Sequence, residues 1–409
     1  MFTLALWAWL LVCGLMPVSG AWLPVPLAIA LLLGIVLAMR SRSLPDLQLI
    51  WPLFAFYALH VIGMAWTSDI DFGLFDLQIK LGLVLLPFAV SPLLQRVPDL
   101  LHKCMVAFTM GMVVAMILSF TKAWNCYADS GLFNCFSQST FSFDLHPSYT
   151  AWYGCWIIAY WGYRLLHGEV TGLLRWLSVA FSVVTFLWIT MLASKSGIIG
   201  LGLVLVFLCY VVVMRMKGKT RSILLGAAIG LVGGAVWLQG PLVKARMTSG
   251  VNAIQNAFAG DPAIYTSTDG SDMRTVVWLC SLERMHKEPF GAGTGDIKHA
   301  LMDCYRSRGA VEAEKRNLNS HGQFLQGGVA LGWPGLISAL LLFLWPAYLA
   351  WRRRDPLLVL FILLFFVNAA VESVLEVQAG VLFFGALMGL FQRVRPLRSD
   401  FIDRQHTSE

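Results

Sequence analysis

Charged residues are scarce in this chain of 409 residues: 13% are Asp, Glu, Lys or Arg, and 58% are hydrophobic. A soluble protein of this length carries about 25% charged residues. Apolar runs of about 20 residues recur along the whole sequence, and each is long enough to cross a hydrocarbon layer of about 30 Å. The scarcity of charge therefore excludes a soluble protein and predicts an all-α polytopic membrane protein.

Several motifs of familiar enzymes are also missing. H-E-x-x-H and paired C-x-x-C sequences are absent, so we expect neither a zinc site nor another metal site. The sequence G-A-G-T-G lacks the Lys and Ser or Thr that complete a Walker loop, and no G-x-S-x-G elbow is present. We expect no cofactor. The net charge of +7 does not indicate nucleic acid, because the basic residues lie in short loops between apolar runs.

Twelve apolar runs are predicted to cross the membrane as helices. The first has neither a basic segment before it nor a cleavage-site pattern, so we interpret it as a retained span. The predicted spans cover approximately residues 3–17, 21–39, 50–66, 78–94, 104–121, 150–166, 172–191, 197–214, 223–238, 327–350, 356–371 and 378–392.

Basic residues of the short loops orient these spans. One set of loops and the C-terminal tail hold most of them, whereas the opposite short loops hold only Lys80, Lys122 and Lys195. The basic side, with both termini, is therefore predicted to be cytoplasmic. The chain then reads as one integrated membrane domain, with spans one to nine in 1–238, an outward-facing helical insert in 239–326, and spans ten to twelve with a cytoplasmic tail in 327–409.

Four cysteines fall in segments that are predicted to face outward. Cys126 and Cys135 lie in one loop, and Cys280 and Cys304 lie in the insert. The outer side of a membrane commonly meets an oxidising compartment, so cysteines that face outward are able to form disulfides. We predict two bonds, Cys126–Cys135 and Cys280–Cys304.

Six polar residues from separate segments are predicted to meet at the outer boundary of the membrane. His146 and Lys195 lie beside spans in D-L-H-P-S and A-S-K-S-G, Arg274 and His321 flank the insert, and Glu372 and Glu376 separate the last two spans. Charges held at a span end are costly unless they are paired or used. The residues alone leave non-functional interpretations open. Arg274 can be a solvated charge, and Lys195 can be a side chain at a span end that extends its amine to the membrane boundary.

The order of these features resembles the O-antigen ligase and polymerase superfamily over nearly the whole chain. The resemblance rests on the A-S-K-S turn, an R-x-x-x-W helix followed by P-F-G-A-G-T-G, and His321 followed at the family spacing by Gly332 and Gly335. The sequence departs from the ligase pattern at Gly322, where ligases usually carry Asn, Ser or Gln, and at Lys195, where many carry Arg.

The resemblance implies a glycosyltransferase of the bacterial inner membrane with its active site facing the periplasm. The implied donor is a glycan on undecaprenyl diphosphate. The acceptor is a sugar hydroxyl, on the lipid A-core for a ligase or on a second lipid-linked glycan for a polymerase. Lys195 and Arg274 are expected to stabilise the departing diphosphate in place of a metal ion. His321 is the expected general base, and a single displacement inverts the anomeric centre.

Further residues are candidates for binding substrate, each with a structural alternative. The candidates are His146, Glu372 and three arginines of the insert, Arg306, Arg308 and Arg316. The structural alternative for His146 is a turn residue, and for Glu372 it is a group that pairs with an arginine or caps a turn. The alternative for the arginines is that they are solvated charges. The glycine turn at 291–295 can offer amides to phosphate or simply connect two helices. A transporter would place ionisable groups near the bilayer midplane, and here they gather at one face. An O-antigen ligase is thus the preferred function, a polymerase the alternative, and a lipid or polysaccharide transporter the less favoured one.

Overall fold

A computed structural model describes residues 1–393, apart from the side chains of residues 231, 232, 235–247 and 258. All regular structure in this part of the chain is helical, which confirms the predicted class. The predicted cytoplasmic tail, from residue 394 onward, lies outside the described residues. The helices are α1 (Phe2–Leu15), α2 (Pro24–Ser41), α3 (Leu47–Gly63), α4 (Ile70–Arg96), α5 (Leu100–Ser130), α6 (Gln138–Phe141), α7 (Pro147–Leu166), α8 (Gly172–Leu192), α9 (Lys195–Arg215), α10 (Gly218–Phe258), α11 (Ala263–Thr266), α12 (Gly270–Lys287), α13 (Ile297–Arg308), α14 (Val311–Lys315), α15 (Gln323–Arg352), α16 (Pro356–Val371) and α17 (Gln378–Leu390).

Seven helices within residues 1–393 are long and apolar enough to cross a membrane. They are α2, α3 with the turn that follows it, α4, α5, α8, α9 and α15. Helices α1, α16 and α17 are apolar but shorter. The two other predicted spans, 150–166 and 223–238, fall on α7 and on part of α10. A multi-pass helical membrane protein is therefore confirmed, while the number of twelve spans stays a prediction.

Two lysines that were predicted to lie in outward loops lie inside helices instead. α4 begins at Ile70 and α5 ends at Ser130, so these helices include Lys80 and Lys122. Lys80 is fully buried and forms an ion pair with Asp76, four residues earlier, a spacing at which helical side chains meet. A lysine with such a partner does not end an apolar helix, which is why the predicted loop was wrong.

The predicted start of the insert does not coincide with a break in the backbone. α10 runs without interruption from Gly218 to Phe258, about 60 Å at 1.5 Å per residue. It joins the predicted span 223–238 to the first part of the predicted insert. At the other end, α15 begins at Gln323, inside the predicted insert. Polarity changes at both places, but helical hydrogen bonding continues because polarity alone does not end a helix.

Within the described residues, two hydrophobic cores hold the helices together. The larger core lies among the apolar helices and includes the buried rings of Trp156 and Phe361. A smaller core joins the insert to the start of α15 and includes Val277 of α12, Leu301 of α13 and Val329 of α15. The insert is therefore packed against the helix that follows it.

Both predicted cysteine pairs are joined in the structure. Cys126, near the end of α5, is bonded to Cys135 in the following loop, with the Cα atoms 5.8 Å apart. Cys280 of α12 is bonded to Cys304 of α13, also with 5.8 Å between the Cα atoms. Because Cys280 and Cys304 belong to the smaller core, this bond ties the two main helices of the insert to each other.

A break in α15 at Gly332 shapes the contact between the insert and this helix. Gly332 has φ 63° and ψ −148°, a conformation that essentially only glycine adopts. Trp333 N donates to Pro289 O at 3.0 Å instead of to Val329 O, and the next residue is a proline, which has no N–H for Ala330 O. The break thus leaves two carbonyl groups of α15 without helical partners.

The glycine-rich turn between α12 and α13 fills these two positions. Ala292 N donates to Val329 O and Gly293 N donates to Ala330 O, both at 2.9 Å, while Gly295 N donates to the Thr67 hydroxyl at 3.2 Å. These amides are engaged within the fold, so the turn acts as a connector rather than as a phosphate loop. It fixes α12 beside the start of α15, which sets the position of Arg274 relative to His321.

Candidate active site

The long helices α7, α9 and α12 begin around one cavity of about 680 Å³ on the side of the insert. The first residues of α7, α9 and α12 line it, together with the end of α16. The sequence favours these starts, because Pro147 is the first residue of α7 and Ser194 and Asp269 occupy the N-cap positions of α9 and α12. A helix carries partial positive charge at its N-terminus, so three converging N-termini suit the cavity to an anion.

Four predicted site residues line this cavity: His146, Lys195, Arg274 and Glu372. They come from four separate elements, which meet at one end of the helical bundle. Lys195 is exposed at the first position of α9. The cavity thus combines helix N-termini with two cationic side chains, a combination that favours the phosphate groups of a ligand.

Two carboxylates also line the cavity, and both have protein partners. Asp269 accepts hydrogen bonds from Ser271 N at 2.7 Å and from the Ser249 hydroxyl at 2.8 Å. Its role is to cap α12. Glu372 is held by Arg274 and His321, as described next.

Glu372 bridges two of the predicted catalytic residues. One of its oxygens, Oε1, lies 2.8 Å from the guanidinium of Arg274, and Oε2 lies 3.4 Å from His321 Nδ1. Burial raises the pKa of the Glu372 carboxyl, but the hydrogen bond from His321 and the positive charge of Arg274 outweigh it and hold the pKa below its usual value. Glu372 is therefore an ionised carboxylate that connects Arg274 to His321. The role predicted for it from the sequence was to bind substrate.

The loop that carries His321 is held at several points. The His321 backbone is in the left-handed region, at φ 42°, which non-glycine residues seldom adopt. Asn319 Oδ1 accepts from His321 N at 3.0 Å, and Trp278 Nε1 donates to His321 O at 3.3 Å. Gly322 N donates to the Ser373 hydroxyl at 3.3 Å. The neighbouring structure thus fixes both the backbone and the imidazole of His321.

The R-x-x-x-W pattern acquires a physical meaning from these contacts. Arg274 and Trp278 are one turn apart on α12, so their side chains lie on the same face. Arg274 reaches Glu372, and Trp278 reaches the carbonyl of His321. His321 itself is not among the residues that line the cavity, and it joins the site through Glu372.

His146 occupies the N-cap position of α7, where its Nδ1 accepts a hydrogen bond from Ser148 N at 3.3 Å. Burial lowers the pKa of His146; Glu372 opposes this shift, whereas Arg274 and His321 reinforce it. A neutral imidazole is the form that can accept this bond. The structural alternative, a residue that fixes the turn before the helix, therefore describes this contact, and the ring also borders the cavity.

The three arginines predicted to bind acceptor phosphates lie elsewhere in the insert. Among the described residues, none of them lines the cavity. Each is paired with a carboxylate: Arg306 with Glu314 at 2.6 Å, Arg308 with Glu283 at 2.6 Å and Arg316 with Glu312 at 2.5 Å. These pairs fit the alternative of structural surface charges.

The family comparison covers the part of the chain that contains most of this site. Residues 180–340 match the model of the family described as O-antigen ligase. Over this segment, the chain is similar to the O-antigen ligase family. The predicted resemblance is confirmed, and with it a family of membrane glycosyltransferases of the ligase and polymerase type. No curated protein matches the chain.

The segment matched to the O-antigen ligase family includes Lys195, Arg274 and His321 but ends before Glu372. The family match therefore covers the three predicted catalytic residues. Glu372, the residue that connects two of them, comes from the turn between α16 and α17. It completes the site from outside the matched segment.

Sequence reasoning placed Glu376 at the outer boundary but missed the buried polar cluster that this residue joins. Lys80 Nζ lies 3.0 Å from Glu376 Oε2 and also contacts Asp76. Gln323 Nε2 lies 3.2 Å from Glu376 Oε1, and Gln323 Oε1 accepts from Leu375 N at 2.7 Å. An Asp and a Lys four residues apart in an apolar run are a signal that could have identified half of the cluster. The pairing with Glu376 depends on tertiary structure.

This candidate site can perform three physical tasks. It can attract an anionic group through Lys195 and the helix N-termini. It can hold that group with the guanidinium of Arg274, which shares its charge between Glu372 and the cavity. It can also present an imidazole whose orientation is fixed by a carboxylate, the arrangement that general bases use.

Proposed function

We propose that this protein is an O-antigen ligase, which transfers a glycan from undecaprenyl diphosphate to a sugar hydroxyl of the lipid A-core. One observation carries the proposal: a single cavity is lined by Lys195, Arg274 and Glu372, and His321 is bonded to Glu372. The family match supports the same class of reaction. The cavity offers cations that suit a diphosphate, and His321, held beside it through Glu372, is the proposed base.

The proposed reaction is a single displacement. His321 takes the proton of the acceptor hydroxyl, and the hydroxyl oxygen attacks the anomeric carbon of the donor sugar. The bond from that carbon to the diphosphate oxygen breaks, and its electron pair stays on the diphosphate. Attack from the opposite side inverts the anomeric centre.

Charge stabilisation is proposed to come from the protein rather than from a metal ion. Lys195 and Arg274 lie beside the leaving diphosphate, and the N-termini of α7, α9 and α12 add their partial positive charge. Removing one such group from a preorganised site costs about 10²–10³ in rate in comparable systems. We therefore expect activity to persist in EDTA, and a loss that added divalent ions restore would disprove this part.

The proposed topology has twelve spans in the inner membrane, both termini in the cytoplasm, and the site and the insert in the periplasm. The excess of basic residues in the opposite loops supports this orientation. A reporter fused after Gly260 is expected to read periplasmic. A cytoplasmic reading would invert the topology and remove access to the donor.

A polymerase that uses the same donor is the alternative, because Gly322 departs from the usual ligase residue. In the structure Gly322 has an extended backbone, with φ −179°, which any residue can adopt, so the departure does not reflect a backbone requirement. The product distinguishes the two functions. Purified protein given lipid-linked glycan and lipid A-core is expected to form core-attached glycan, whereas longer lipid-linked chains indicate a polymerase and unchanged donor moved across a vesicle indicates transport.

The same assay tests the residues. Arg274→Ala and His321→Ala are expected to abolish transfer while the protein still reaches the membrane. Arg284→Ala and His286→Ala on α12 are matched controls, because neither residue lines the cavity. Full activity in either site variant would remove that residue from the proposed mechanism.

A further inference from the structure

A second cavity, of about 950 Å³, lies at the other end of the helices that form the candidate site. α9 connects the two: it begins at Lys195, which lines the first cavity, and ends at Arg215, which lines the second. Its 21 residues span about 32 Å, close to the thickness of a hydrocarbon layer of about 30 Å. The second cavity therefore lies at the opposite boundary of the membrane.

The walls of the second cavity are mainly apolar. α7, α9, α15 and α16 contribute to it, and its apolar side chains include Leu203, Val206, Phe207, Val359 and Leu363. Such a surface favours a hydrocarbon chain over water. Val206 is 69% exposed, so the groove is open along the side of the bundle.

Two arginines border this apolar surface, and they differ from other arginines nearby. Arg215 and Arg354 line the cavity, and neither forms an ion pair with a carboxylate among the residues that the structure describes. By contrast, Arg353 is paired with Asp46 at 2.5 Å, and Arg164 is paired with Glu169 at 3.2 Å. The cavity thus has two cationic groups that form no ion pair within residues 1–393.

The acidic residue that lines the same cavity is already engaged. Asp355 Oδ1 accepts a hydrogen bond from Leu358 N at 3.1 Å and so caps α16. Its carboxylate is consequently directed to a helix N-terminus. A negative ligand near Arg215 and Arg354 meets this one carboxylate and two guanidinium groups, which leaves an excess of positive charge.

We infer that this cavity binds an anionic glycerophospholipid of the surrounding bilayer. Its phosphate lies at Arg215 and Arg354, and an acyl chain lies along the apolar groove beside Val206. Basic pockets between membrane helices are known to hold anionic headgroups, and a lipid is the ligand class that supplies both an anion and a hydrocarbon chain at this depth. The inference depends on the membrane-spanning fold and not on the proposed reaction.

Native mass spectrometry of the purified full chain tests this site. The protein is titrated with phosphatidylglycerol and with phosphatidylcholine of the same acyl chains, which differ in headgroup charge. We expect the unmodified protein to prefer phosphatidylglycerol and the Arg215→Gln/Arg354→Gln variant to lose about 30-fold of that preference, since each basic residue near a membrane contributes about 1 kcal/mol. Arg352→Gln, an exposed arginine on the same helix end that does not line the cavity, is the matched control.

A second variant tests the acyl groove without changing charge. Val206→Trp fills an exposed part of the cavity wall, and we expect it to weaken binding of phosphatidylglycerol. The inference would be overturned if the unmodified protein retained both lipids equally. It would also be overturned if Arg352→Gln lost the preference for phosphatidylglycerol as much as the double variant does, or if Val206→Trp bound phosphatidylglycerol as well as the unmodified protein. Displacement of the lipid by millimolar inorganic phosphate alone would also overturn it, because that result indicates a free-phosphate site.

Discussion

Glu372 accepts a hydrogen bond from the imidazole of His321, with 3.4 Å between Oε2 and Nδ1. An ionised carboxylate can only accept hydrogen bonds, so the proton of the neutral imidazole lies on Nδ1. Nε2 is then the basic nitrogen, the one that would accept the proton of the proposed acceptor hydroxyl. The other Glu372 oxygen is held by Arg274, so the orientation of the base is coupled to the cation beside the proposed diphosphate.

Exchanging Glu372 for Gln is expected to lower kcat by about 10²-fold, near the lower end of what general-base catalysis contributes. The Gln amide can donate to Nδ1, which moves the imidazole proton to Nε2 and removes the base. KM for the acceptor is expected to change less, because no acceptor contact is removed. Glu288→Gln, which affects a carboxylate paired with Arg284, is the control, and an unchanged kcat in Glu372→Gln would contradict the proposed bridge.

Acid is expected to weaken the start of α7 through His146. The pKa of this histidine is lowered in the folded protein, so the unfolded chain binds a proton at a higher pH than the folded protein does. Stability is therefore complete above about pH 6.5, the ordinary histidine value, and declines as the pH falls toward the lowered folded value. Loss of this helix cap is expected to lower the free energy of unfolding by about 1 kcal/mol.

Thermal melting of the detergent-solubilised protein between pH 7.5 and 5 measures this effect. His146→Asn keeps a capping side chain that does not titrate, and we expect its melting temperature to fall less over this range. An identical pH dependence in the two proteins would show that His146 does not cause the decline.

Sequence reasoning predicted that polar residues at the ends of the predicted spans would lie together. His146, Lys195 and Arg274 belong to segments that are predicted to meet the same boundary of the membrane, so their convergence follows from the predicted topology. The arginines of the insert could not be assigned in this way, because their neutralisation by Glu283, Glu312 and Glu314 depends on how short helices fold together. Charge alone made them resemble a binding surface.

Burial of Lys80 could not be predicted for a related reason. Its partner Glu376 is 296 residues away along the chain, and only the packing of α4 against the turn after α16 brings them together. The length of α10 was also missed, since a change in polarity was interpreted as the end of a helix. Periodicity and composition thus locate helices, whereas long-range pairs decide which polar residues are buried.

Gly332 is expected to tolerate no side chain. A Cβ atom at this position would lie 1.8 Å from Pro289 O, and the backbone conformation alone costs about 1–3 kcal/mol for other residues. Gly332→Ala should therefore separate the glycine turn from α15, lower the melting temperature and reduce transfer. Gly202→Ala in α9 is the control, because a Cβ there meets no atom within 4 Å; equal stability of the two variants would refute the proposed close contact.

Lys80 is predicted to act on the site as a positioning residue. It holds Glu376 at 3.0 Å, and Glu376 belongs to the short turn that carries Glu372. Lys80→Met should let this turn shift and lower kcat by about 10²-fold, the size of effect that a misplacement of about 1 Å can cause. Lys103→Met, an exposed lysine on α5, is the control for the exchange itself.

A double-mutant cycle separates positioning from general stability. Because Lys80 acts through Glu372, Lys80→Met should reduce kcat in the unmodified protein and add little in the Glu372→Gln background, since residues that act through one contact are not additive. An equal fold-loss in both backgrounds would mean that Lys80 only stabilises the bundle. Lys80→Met can leave the buried Asp76 carboxylate without a partner and prevent folding. The variant Lys80→Met/Asp76→Asn removes one positive and one negative charge, so its net charge is unchanged and it buries less charge. It is compared in the same two backgrounds.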